Sequence, residues 1–230
     1  PLLTSTDRWF RPVDIKVGSD GAIYLADWYD TRLSHVSPVD DWSKEDGRIY
    51  RIRAAGASPS REKFDLHTAS PAVLLGYLKH PNKWFRRQAA LELYWRDEKQ
   101  TLAALESLAR DPGNAHAFDA VGAIELLGGM HDELAGELLS HPDPYVRRWV
   151  IRSAGDDHEA GVVLASALVD VAKREQQPEV RTQLLATARR LPAISALPIA
   201  RAMLGHEADA ADQRIPLMFW WALESKAESD

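Results

Sequence analysis

One phrase recurs along this chain and limits what the chain can become. His80-Pro-Asn-Lys-Trp-Phe-Arg-Arg87 returns as His141-Pro-Asp-Pro-Tyr-Val-Arg-Arg148, sixty-one residues later. A degenerate copy, Asp111-Pro-Gly-Asn-Ala-His-Ala-Phe118, lies almost midway. Another opens at Gln177-Pro-Glu-Val-Arg181, and a looser one runs from His206 to Trp221. Units spaced by roughly 30–36 residues cannot each bury an apolar face alone, so they bury it by stacking. Proline stops the preceding helix and pre-sets φ for the first turn of the next. In Tyr145–Val150 the apolar residues fall at i, i+1, i+4 and i+5, which turns one stripe inward and the arginine pair aside. Phe85, Ala89 and Leu93 repeat the pattern.

The alternate helices follow the same rule. Val73, Leu74, Tyr77 and Leu78 form one stripe, Leu102, Leu105 and Leu108 a second, and Val163, Leu164, Leu168 and Val171 a third. Ser70, Asn114 and Asp157 are candidate N-caps. His80 and His141 each precede a proline at a helix junction, where an imidazole is expected to bond the last carbonyls of the helix before it. The spacing predicts ten helices in five pairs, near 71–79, 82–96, 98–110, 115–127, 131–140, 143–154, 157–174, 179–190, 193–204 and 212–225. The fold class expected is mainly α: an α-solenoid of HEAT-like helix pairs over 70–230. Trp220 and Trp221 close the last helix, either as an apolar cap or as contacts for a further domain.

Ahead of the repeats the period changes from helical to strand-like. Val13, Ile15 and Val17 alternate with Asp14 and Lys16, as in a half-buried strand with Lys16 on the solvated face. Ser19-Asp20-Gly21 reads as a tight turn. Ala22–Asp27 and Gly47–Arg53 read as second and third strands. Residues 1–53 are thus an antiparallel β-meander resembling part of one β-propeller blade. A single meander leaves edges unpaired and covers too little apolar area to stand alone. The expectation is therefore a piece of a larger protein. Ala54–Ser60 is small, polar and marked by Pro and Gly, so 54–69 is read as a linker.

Composition narrows the function classes. The chain has no cysteine, which removes disulfides, thiolate metal sites, covalent haem attachment and cysteine nucleophiles. Its net charge of −6 argues against a phosphate-tracking surface, so no nucleic-acid partner is expected. No run of about 18 apolar residues occurs, so no membrane span is expected. No pair of histidines at i, i+4 with a carboxylate suggests zinc. Nucleotide-binding, nucleophile-elbow and paired-carboxylate patterns are not above chance.

Several phrases together resemble a bacterial family labelled membrane-bound dehydrogenases. They are Phe10-Arg-Pro-Val-Asp-Ile-Lys-Val-Gly-Ser-Asp-Gly21, Ala26-Asp-Trp-Tyr29, Gly47-Arg-Ile-Tyr-Arg-Ile52, the His-Pro…Arg-Arg repeats, and Leu217-Met-Phe-Trp-Trp-Ala-Leu-Glu224. Members of that family look like a quinoprotein glucose/sorbosone-dehydrogenase propeller followed by HEAT repeats, often with a c-type cytochrome domain. The resemblance implies that the chain is the last blade and HEAT part of an exported, periplasmic oxidoreductase of sugars or alcohols. It implies upstream blades and a downstream cytochrome c domain as partners. Pyrroloquinoline quinone (PQQ) and Ca²⁺ are implied for the complete parent, with none held by this chain alone. The usual catalytic His position and a Cys-x-x-Cys-His motif are absent from it. A different class is also open: a non-enzymatic binding module that uses the HEAT surface for protein–protein interaction.

Each candidate residue carries two readings. By the resemblance, Arg11 meets the quinone carboxylates and His35 lines a pocket with Trp28 and Tyr29. By local chemistry, Arg11 pairs with Asp14 or Asp27, and His35 bonds a neighbouring carbonyl. Asp27, Asp30, Asp40, Asp41, Glu45 and Asp46 offer oxygen ligands for Ca²⁺, yet Asp is equally a turn residue. Arg86, Arg87, Arg147 and Arg148 either bind an acidic partner or bridge to acids of the next repeat and hold the stack in register.

Overall fold

The computed structural model describes residues 3–31, 38–39, 41–56 and 64–227. The chain divides into two compact units. The first joins 1–65 to the short segment His80–Phe85, and the second comprises Leu66–Lys79 and Arg86–Asp230.

The first unit is a three-stranded antiparallel meander, β1 (Pro12–Val17), β2 (Ile23–Asp27) and β3 (Arg48–Ile52), in the order β1-β2-β3. Gly21 takes a φ of +74° at the β1–β2 turn, which a glycine adopts without strain. Asp20 completes that turn: its carboxylate accepts from the N–H of Ala22 (3.1 Å) and the hydroxyl of Tyr24 (3.1 Å), and pairs with Arg51. Pairing Ile15 with Leu25 and Leu25 with Tyr50, and Val17 with Ile23 and Ile23 with Ile52, gathers the apolar residues onto one face. Leu25 is buried on β2, but every residue of β1 is exposed, Val13, Ile15 and Val17 by 61, 59 and 52%. The alternation thus places the strand and its face, whereas the half-burial expected of it is not realised.

Residues 80–85 belong with the sheet unit rather than with the helices, a departure from the expected boundary at 70. The side-chain amide of Asn82 donates to the carbonyls of Gly18 (2.9 Å) and Ser19 (3.2 Å). Phe64 stands edge-on to Trp84 and Phe85, with centroids 5.5 and 4.7 Å apart.

The second unit is helical. Its elements are α1 (Pro71–Tyr77), α2 (Lys83–Trp95, whose first residues lie in the sheet unit), α3 (Leu102–Arg110), α4 (Ala117–Leu126), α5 (Asp132–Leu138), α6 (Pro144–Ser153), α7 (Val162–Arg174), α8 (Pro178–Arg190), α9 (Ala193–Met203) and α10 (Ile215–Ala227). Short 3₁₀ turns at Lys99–Thr101 and Glu207–Ala211 precede α3 and α10. The protein is therefore mainly helical, with a small sheet at its N-terminal end. No described helix is long and apolar enough to cross a membrane.

From α3 onward each helix packs on a close successor. α3 meets α4 and α5, α4 meets α6, α5 meets α6 and α7, and α6 meets α8. α7 meets α8 and α9, and α8 and α9 both meet α10. Leu105, Ile124, Leu134, Leu168, Leu184 and Ile199 are wholly buried along these seams. Ser70 caps α1 by accepting from Val73, as expected. Two other caps shift. α4 starts after His116, with Asn114 Oδ1 accepting the His116 N–H, so Asn114 shapes the turn ahead of the helix. α7 begins at Val162 rather than near 157, because His158 takes a φ of +60° that interrupts helical geometry. The junction histidines bond forward: Nδ1 of His80 and of His141 accept from the N–H of Asn82 (3.0 Å) and Asp143 (3.1 Å). They thus tie the proline turn to the start of the next helix.

Leu184 is fully enclosed, whereas Ile194 is 84% exposed. Leu184→Ala is expected to cost about 2–5 kcal/mol and Ile194→Ala less than about 0.5 kcal/mol. Urea unfolding followed by far-UV circular dichroism measures both, and equal costs would reject this packing.

Candidate functional site

The repeated arginine is the first element of the site, and its geometry recurs. Arg147 on α6 pairs with Glu175 (Nε–Oε2 2.7 Å, Nη2–Oε1 2.8 Å) and donates through Nη1 to the carbonyl of His141 (2.8 Å), six residues back. Arg181 on α8 pairs with Asp209 (Nε–Oδ2 2.8 Å) and donates through Nη1 to the carbonyl of Glu175 (3.1 Å), also six residues back. In both cases the carboxylate lies twenty-eight positions ahead. Arg86 on α2 makes the related contact to Asp119 on α4 at 2.8 Å. The planar guanidinium suits this role, since it serves a carboxylate and a carbonyl at once. Arg181 and Asp209 are both buried, as is Glu175. The signal for Arg181 was present in the Pro-Glu-Val-Arg copy, but its lack of a second arginine set it apart from the other repeats.

Electrostatics follow from burial and pairing. Desolvation works to raise the Glu175 pKa, but the Arg147 guanidinium and the N–H groups of Gln177 and Gln176 outweigh it, and the carboxyl is held below its ordinary value. Asp212, which accepts from the N–H groups of Arg214 (2.8 Å) and Ile215 (3.0 Å) at the start of α10, is likewise lowered.

The second arginine of each pair behaves differently. Arg87 and Arg148 are exposed. Arg148 stands on α6 beside Tyr145, Trp149 and Arg152, which i, i+3 and i+4 spacing places on one face. A cavity of about 410 Å³ lies between these residues, Phe118 of α4 and Gln183 of α8. A neighbouring one of about 500 Å³ runs from Arg152 past Gln183 and Ala186 to Arg189 and Met218 of α10. A third, of about 350 Å³, lies between Arg148, Gln183 and Arg214. Gln183 lines all three, so they form one groove over α6, α8 and α10. Phe118 meets Trp149 edge-on at 5.4 Å, and Arg152 and Arg189 lie over the rings of Trp149 (5.0 Å) and Trp221 (5.8 Å). Sequence reasoning found Arg148 here but missed Arg152, which lies one turn beyond the Arg-Arg of the α6 phrase, and Arg189, because α8 carries no His-Pro…Arg-Arg phrase to flag it.

The sheet-unit candidates are arranged around Asp27 rather than around Arg11. Asp27 is buried, and its carboxylate accepts from the backbone N–H of Arg11 (2.7 Å), the N–H of Tyr29 (3.0 Å) and the hydroxyl of Tyr50 (3.4 Å). The Arg11 side chain turns to the carbonyl of Phe10 (2.9 Å), while its Nε is buried without an acceptor among the described residues. Arg11 thus meets Asp27 through its backbone instead of through an ion pair. Trp28 is half exposed and stands edge-on to Trp42 at 5.6 Å. Tyr29, at a φ of +53°, packs on Trp9 and lies under the Arg48 guanidinium, 3.5 Å from the ring centroid. Asp30, wholly buried, accepts from the N–H of Ser43 at 2.9 Å. His35 and Asp40 lie outside the described residues.

These residues do not by themselves fit the implied quinone, a tricarboxylate. One guanidinium committed partly to a carbonyl, beside the buried carboxylate of Asp27, is not a cradle for three acids. Among the described residues no group of three His, Asp or Glu side chains is placed to hold a metal ion.

Comparison with known proteins adds one match. A family model described as a domain of unknown function (DUF7133) matches residues 1–56, the segment that holds the sheet. No curated protein and no solved structure matches the chain.

Two outcomes test the buried pairs. Asp209→Ala strands the Arg181 cation and is expected to cost about 3–5 kcal/mol, against about 0–1 for removing Asp170 from its exposed pair with Lys173. Denaturant titration reads both, and similar costs would reject the assignment. Because the Glu175 pKa is lowered in the folded state, its contribution is complete above the ordinary carboxylate range, about 4.3, and declines as pH falls through the lowered value. The stability gap between wild type and Glu175→Gln should therefore be widest near neutrality and narrow in acid. Parallel curves would count against it.

Proposed function

We propose that the chain is a non-catalytic scaffold: a HEAT-like α-solenoid whose α6–α8–α10 face presents an interaction groove, preceded by a sheet that is one wedge of a larger β-assembly. The observation that carries this reading is the repeated arginine bracket. Arg147 and Arg181 each tie a carbonyl six residues behind to a carboxylate twenty-eight ahead, so successive helix pairs keep one register. Repeats held in this way build a rigid surface whose outward side chains are available for recognition.

A second reading places this scaffold inside an exported quinoprotein-like oxidoreductase of sugars or alcohols. The exposed apolar row Val13, Ile15 and Val17 favours it, since a neighbouring propeller blade would cover that face. In that setting PQQ, when bound with Ca²⁺, supplies the electron-accepting chemistry. This chain would contribute sheet closure and a single Arg11 N–H, with the solenoid acting as spacer or docking arm.

Quinone titration separates catalysis from scaffolding. With PQQ and Ca²⁺ added, the tryptophan fluorescence of this chain should show no saturable quenching, and no sugar or alcohol should reduce a dye acceptor. Saturable quenching that Arg11→Ala abolishes would overturn the non-catalytic reading.

A further inference from the structure

We infer that the α6–α8–α10 groove binds an acidic peptide segment carrying an apolar anchor residue, a partner class that rests on the scaffold reading above and extends it. The first support is charge. Arg148, Arg152 and Arg189 are exposed along the groove, and none has a carboxylate within ion-pair distance among the described residues, although the chain as a whole is acidic at −6. Among the other repeat-borne arginines, Arg86, Arg147 and Arg181 are occupied by the next acid and Arg190 by Asp156 and the carbonyl of Arg152, while the exposed Arg87 stands on α2 and does not line the groove. Positive charge left unneutralised on one face of an acidic protein is complementary to carboxylates.

The second support is the apolar floor. Phe118, Tyr145 and Trp149 surround a cavity of about 410 Å³, room for a large aliphatic or aromatic side chain, and Tyr145 is 64% exposed. Met218 lines the next stretch of the groove, and thioether side chains adapt to varied apolar ligands. Aromatic and arginine side chains interleaved in this way are the composition of interface hot spots.

The same observations disfavour a polynucleotide. Tracking a phosphate backbone needs a long basic stripe. Here Glu179 and Asp212 close the Arg214 end, which confines the positive stretch to Arg148, Arg152 and Arg189. A short segment with a few carboxylates around one anchor matches that extent.

The test uses the whole chain and three fluorescein-labelled probes. The first is a short peptide of Asp and Glu flanking a central Phe-Leu, the second its Asn/Gln counterpart, and the third single-stranded DNA of similar length. Fluorescence polarisation should show saturable binding of the acidic peptide that weakens with added salt, and no comparable binding of the other two. Arg148→Glu with Arg152→Glu should weaken it about tenfold or more, and Tyr145→Ala should weaken it without changing the salt dependence. Arg201→Glu, on the exposed side of α9, should leave it unchanged. Unaltered circular dichroism spectra and melting curves show that the variants fold. Absence of peptide binding, equal binding by the double variant, or tighter binding of DNA would overturn the inference. None of these residues takes part in the quinone titration, so failure here and failure of the non-catalytic reading are told apart.

Discussion

A buried guanidinium facing a buried carboxylate is costly to place and more costly to break, and the helical unit depends on that asymmetry. Taking either ion out of water alone carries a penalty of several kcal/mol, which only a well-aligned partner offsets. The pairs Arg147–Glu175 and Arg181–Asp209 meet this condition because each guanidinium also serves a carbonyl six residues behind it. A slip of one helix pair against the next would strand both ions. Apolar seams built from Leu, Ile and Ala tolerate small shifts, whereas a forked hydrogen bond does not. The arginine bracket therefore selects the register, and the leucines supply most of the burial.

That division of labour explains why the two arginines of each repeat phrase end in different environments. On a helix, adjacent positions differ by about 100°, so the first arginine can turn toward the next repeat only by leaving the second at the surface. Arg148 then joins Arg152, one turn along, and Arg189 from α8. The result is a surface that is basic and aromatic within an acidic chain. Structure and the proposed recognition thus use neighbouring residues of one short phrase.

In the sheet unit the organising group is an acid. Asp27 gathers the N–H of Arg11, the N–H of Tyr29 and the hydroxyl of Tyr50, tying the start of β1, the end of β2 and the middle of β3 to one buried carboxylate. Asp30 does the same for Ser43. The Ala-Asp-Trp-Tyr-Asp phrase is accounted for by these contacts, and Arg11 is drawn in through its backbone. The apolar face of β1 stays exposed, which is the feature that the proposed larger β-assembly would complete.

The ten helices and three strands of the described residues were legible from periodicity, proline placement and the repeat phrase, because each of those signals acts within a few residues. So was the choice open to Arg86 and Arg147, between an acidic partner and an acid of the next repeat. The joining of residues 80–85 to the sheet, the forward-bonding junction histidines and the late start of α7 were not. The amino-acid sequence by itself determined where helices and strands form and which stripe of each is apolar, since local sterics and solvation decide both. Only the tertiary structure decided which arginines are enclosed and which line the groove. That outcome turns on side chains some thirty residues apart meeting in space, and no local preference encodes it.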